Sequence, residues 1–104
     1  MQNSCADTAR AKINACATDF LIKAEGMDKT SLATAFVIMR SKIGTKKQYG
    51  FTELPEETHV IVARFWNQVV SAYAFCQESQ RGIVANFISQ TLNRLMASLG
   101  VQNV

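Results

Sequence analysis

Apolar residues recur along this chain at intervals of three and four, in four runs punctuated by Gly26, Gly44, Gly50, Gly82 and Gly100. That interval returns a side chain to one face of an α-helix, and glycine is the common residue just past a helix end. The first run, 4–25, places Cys5, Ala9, Ile13, Cys16, Phe20 and Ala24 in one stripe. Ser4, with Asp7 three positions on, can take up the unpaired N–H groups of its first turn. The second run opens "DKTS", with Asp28 or Thr30 as cap, and aligns Leu32, Phe36, Met39 and Ile43 before Gly44. Val37 and Ile38 point away from that stripe, which implies contact on a second side.

The third run begins "TELPEETH", where Pro55 suits a first turn and Glu53, Glu56 and Glu57 suit the positive end of the helix dipole. The β-branched opening of "HVIVARF" also fits a strand, which would convert the domain to α+β. Further along, Val62, Phe65, Trp66, Val69, Tyr73 and Cys76 keep helical spacing over four turns, so a helix is predicted. Phe75 alone breaks the pattern and projects on the polar side, between Arg64 and Gln68. The fourth run, 83–99, gathers Ile83, Val84, Phe87, Ile88, Leu92, Leu95, Met96 and Leu99 over an arc of roughly 200°, twice what one packing partner needs. Such an arc implies either a helix clamped between two neighbours or part of a dimer interface.

The expected fold is therefore all-α: four helices in a compact bundle or orthogonal array, forming one domain over 1–104. Composition adds one point. With 48% hydrophobic and only 18% charged residues, a small domain leaves apolar atoms on its surface, which favours a self-association or partner face. A net charge of +3 neither demands nor excludes an acidic partner. No apolar run approaches the roughly 18 residues of a membrane span, and Asp7, Arg10, Lys12 and Asp19 interrupt any signal-peptide core. The expectation is a cytoplasmic protein with no membrane association, the alternative being a mature exported chain.

Charge is concentrated in "RSKIGTKKQYGF", Arg40 to Phe51, which holds four of the eleven basic residues. Gly44-Thr45-Lys46 lacks the earlier glycine, the preceding strand and the Gly-Lys order of a phosphate loop. A nucleic-acid contact is the other chemistry on offer. Arg40, Lys42, Lys46 and Lys47 would neutralise phosphates, and Tyr49 and Phe51 would stack on bases. Against that, lysines after a helix complement its negative end, the following glutamates dilute the field, and Phe51 suits a hydrophobic staple on the third helix.

Cys5, Cys16, Cys76 and His59 number four, as a zinc site requires, but none stand in a close pair. Cys5 and Cys16, eleven residues apart on one helix, are separated by about 16 Å, too far for a shared metal or a disulfide. Cys76 can bridge to either, or all three can stay free as small buried hydrophobes. His59 and Cys76 lie roughly 25 Å apart along one helix, so they do not form a base and nucleophile. No catalytic residue, metal or cofactor is assigned.

The function expected is non-catalytic protein binding by a small adaptor, inhibitor, immunity or chaperone-like module, as a homodimer with an unidentified protein partner. Val37, Ile38, Phe75, Ile83, Phe87, Leu92, Met96 and Leu99 are its expected interface, and the basic loop steers an acidic partner. The alternative is a nucleic-acid-binding regulator contacting its ligand through Arg40, Lys42, Lys46, Lys47 and Tyr49.

Overall fold

The computed structural model describes residues 4–101 and builds them into four α-helices: α1 (Cys5–Ala24), α2 (Lys29–Ser41), α3 (Glu56–Phe75) and α4 (Glu78–Leu99). No strand occurs among the described residues, and "HVIVARF" lies wholly within α3. Burial decides the matter there. Val62, Phe65, Trp66, Val69 and Val70 all reach the core from one helical face, outweighing the β preference of the branched residues.

The start signals act as their chemistry requires. Ser4 Oγ accepts the Asp7 N–H at 3.1 Å, and Asp28 Oδ2 accepts the Ser31 N–H at 3.0 Å. Pro55 precedes the first helical residue of α3 rather than joining its first turn. At the far end, Gly100 adopts φ +69°, which lets its N–H reach the Ala97 carbonyl while the Val101 N–H reaches Met96. This left-handed turn satisfies two orphan carbonyls and folds Val101 back onto the core.

One boundary differs from the sequence reading. Helix α4 starts at Glu78, so Gly82 lies inside it instead of before it. The pattern of "ESQR" is too polar to signal a helix, but the turn is held from outside: the Arg81 guanidinium donates to the Ala74 carbonyl at 3.2 Å, at the negative end of α3. A side chain at Gly82 would meet open space and an ordinary helical backbone. Gly82→Ala is accordingly expected to stabilise the fold by about 0.5–1 kcal/mol. Thermal melting followed by circular dichroism should show a rise of several degrees; an unchanged or lower midpoint would mean the first turn of α4 is not formed in solution.

The helices α1 and α3 run antiparallel, with a Cys5–Cys76 disulfide joining the start of one to the residue after the other across 5.4 Å between Cα atoms. Close by, the Ala6 N–H donates to Gln80 Oε1 at 2.7 Å, so α4 caps the start of α1. Helix α4 then runs parallel to α1, and the Arg94 guanidinium donates to Asn14 Oδ1 at 3.3 Å. Helix α2 packs on α3 and α4, and its first residue, Lys29, donates its ammonium to the Leu99 carbonyl. This is a bundle of three long helices with the shorter α2 laid on it.

The inward face of α1 is centred on Ala6, Ile13, Ala17 and Phe20, and Cys5 and Cys16 lie at its edges. Its alanines allow the close approach of α3 and α4. Phe20 reaches furthest, stacking on Phe65 with ring centroids 4.6 Å apart and meeting the edge of Phe36 at 6.3 Å.

Most of the wide apolar arc of α4 is filled from within the chain, with Ile83 left about half exposed at its start. Leu92, Met96 and Leu99 are buried against the chain's other helices, so these three are core and are not open to a partner. A helix of the bundle contacted by α1, α2 and α3 needs a broad arc, and the sequence pattern does not say whether its neighbours come from the same chain.

Candidate functional site

The basic stretch of Arg40 to Phe51 does not present its charges together. Arg40 turns to α4, donating to Asn93 Oδ1 and, at 3.6 Å, to the Met96 sulfur. The Lys42 ammonium lies 4.5 Å from the centre of the Tyr49 ring, and the Tyr49 hydroxyl donates to Glu53. That bond holds the Glu53 carboxyl below its usual pKa and pushes the Tyr49 phenol up. Phe51 is fully buried at φ +55°, where it meets the Tyr49 ring edge-on. Asn67 of α3 fastens the segment from beneath: its side-chain oxygen accepts the Tyr49 N–H at 3.1 Å and its amide donates to the Tyr49 carbonyl. Of the five residues expected to contact an anion, Arg40, Lys42 and Tyr49 are engaged within the fold, and Lys46 and Lys47 stay exposed. The stacking pair is dismantled, since one ring is buried.

The clamp on Tyr49 has a second result. It holds Gln48 against the outer side of α1 and α3, where the two helices leave a groove of about 740 Å³. Phe75, with 76% of its surface exposed, stands at one end, and the Lys12 ammonium lies 5.5 Å from the centre of its ring. Cys16, Asp19, Gln68 and Ser71 line the middle. A smaller depression of about 220 Å³ shares Asp19 and Gln68 and carries the groove on to Val60 and Arg64. Lys23 and Asp19 pair at 2.9 Å.

Cys16 is the free thiol. Burial pushes its pKa from the usual 9.0 to about 11, and its S–H donates to the Ile13 carbonyl at 3.4 Å. It is therefore a protonated, weakly polar part of the groove wall at neutral pH. Cys76, the thiol weighed as a nucleophile, is spent in the disulfide. Among the described residues, no three side chains of the metal-ligating types come together.

The remaining expected interface residues are scattered. Val37 and Ile83 are about half exposed. Ile38 and Phe87 are half-buried against the core, the latter with the Arg94 guanidinium 5.9 Å from its ring centre. Of the eight, Phe75 lines the groove between α1 and α3. The sequence singled it out by its place on a polar face. It gave no sign of Lys12 as a neighbour, because a helical wheel does not report how two helices are rotated against each other.

Comparison with protein-family models, with curated proteins and with solved structures finds no match to this chain. The functional reading therefore rests on the groove.

Proposed function

We propose that this chain is a non-catalytic protein-binding module whose partner docks along the outer groove of α1 and α3. The observation that carries this reading is Phe75: a phenylalanine 76% exposed at the rim of a groove that no other helix among the described residues covers. Exposed aromatic side chains beside a concavity are the usual anchors of protein interfaces. Most of the α4 arc is buried within the chain, which leaves Ile83 and Phe87 as its surface available to a second copy, and the partner is read here as a different protein. The disulfide bears on where this happens. A bridge between two helices of a small domain supports an oxidising compartment over the cytoplasm.

The test is photo-cross-linking in cells that express the protein, with the reactive residue placed at Gln68 or, for comparison, at Asn86 on the exposed face of α4. A discrete protein adduct from Gln68 that is absent from Asn86 and lost on Phe75→Ser is the expected result. Equal labelling from both positions, or a nucleic-acid adduct from Gln68, would overturn the proposal. An adduct of twice the chain mass would restore the homodimer.

A further inference from the structure

Resting on that reading, the groove also specifies its occupant. Its charge is one-sided. The carboxylate lining it, Asp19, is taken up by Lys23 at 2.9 Å. Lys12 faces only the π-cloud of Phe75, and no carboxylate of the described residues pairs with it or with Arg64 at the other end. Lys46 and Lys47, both exposed, directly precede Gln48 on the loop that forms one wall. Cations therefore border the groove at both ends and along the loop.

Its shape is equally restrictive. The groove runs between two antiparallel helices, and no strand edge exists among the described residues for a partner to extend. The ridges of two packed helices accept a third helix, as α4 does against α1 and α3 on their other side. The apolar anchors Phe75 and Val60, the latter 49% exposed, lie fifteen residues apart on α3, a rise of about 22 Å, or roughly four turns. A partner helix of that length meets both.

We propose that the groove takes one acidic amphipathic helix of a partner protein, with its apolar stripe on Phe75 and Val60 and its carboxylates towards Lys12, Lys47 and Arg64. Apolar contact holds the helix, and the cations fix its sign and speed its approach.

The experiment uses the full disulfide-bonded chain and synthetic peptides of about 16 residues. One peptide carries a leucine stripe flanked by glutamates, a second the same stripe flanked by lysines, and a third the glutamates with alanines in place of leucines. Fluorescence anisotropy should show binding of the first alone. Its affinity should drop at least tenfold on Phe75→Ser and severalfold on Lys12→Glu, in proteins whose melting midpoints match the parent, and should weaken with salt. Equal binding of the lysine peptide would overturn the charge argument, and equal binding of the alanine peptide would overturn the apolar one. Binding of the first peptide that ignores Phe75→Ser would place it elsewhere. A single-stranded oligonucleotide that displaces the peptide and is itself lost on Lys46→Glu and Lys47→Glu would reassign the cations to nucleic acid. If no peptide binds while Gln68 still cross-links a protein, the acidic-helix proposal fails and the protein-binding reading stands. If both fail, so does the reading.

Discussion

Reducing the Cys5–Cys76 bridge is expected to remove about 4 kcal/mol of stability, the largest loss any single bond in this chain can cause. The cysteines are 71 positions apart, so the bridge closes a long loop and strongly restricts the unfolded chain. It also anchors the first turn of α1, where the Ala6 N–H finds Gln80. A domain this size has a total stability of only about 5–15 kcal/mol, so the reduced form should melt at least 15 °C lower. Thermal melts with and without reductant measure this directly, with Cys5→Ser as a variant independent of reductant. Coincident melts would mean that the bridge is not formed in solution. A drop on reduction that is absent from Cys5→Ser would trace the effect to the reductant and not to this bond.

The second large effect separates two phenylalanines that composition counts alike. Phe20 is 1% exposed, stacked on Phe65 and edge-on to Phe36, where α1, α2 and α3 meet. Phe20→Ala loses the transfer energy of the ring and leaves a cavity that three helices cannot close, at a cost of about 3–5 kcal/mol. Phe75→Ser removes a ring that touches solvent and the Lys12 ammonium, and its cost should stay within about 0.5–1 kcal/mol. Urea unfolding of both variants tests the contrast. If Phe75→Ser were as damaging as Phe20→Ala, Phe75 would be structural and the groove would lose its anchor. If Phe20→Ala were mild, the junction of the three helices would be more yielding than its packing implies.

The sequence made the helices legible because each buries a stripe, and periodicity reports stripes well. It also placed Phe75 outside any stripe, and the structure leaves that residue at the surface. Three features were less accessible. The pairing of Cys76 with Cys5 instead of Cys16 turns on the antiparallel alignment of α1 and α3, which brings the start of α1 to the end of α3 and leaves Cys16 about 16 Å further along. Which molecule covers α4 is a question of what lies across the seam, and an amphipathic pattern is the same whether the neighbour is internal or external. The basic loop was the hardest stretch to place. Its residue types match a nucleic-acid site, but Asn67, Glu53 and Asn93, none of them in the segment, divert half of it into the fold.

The bridge also gives the chain an unusual topology. Residues 5–76 form a covalent ring, and α4 is the tail of a lariat. The ring includes none of α4, so the start of α1 and the end of α3 stay tied together even when the tail lifts away. What the tail covers in that ring is the seam filled by Leu92, Leu95 and Met96. The oxidised ring thus forms a template on which the tail docks, and α4 is the helix that completes its core.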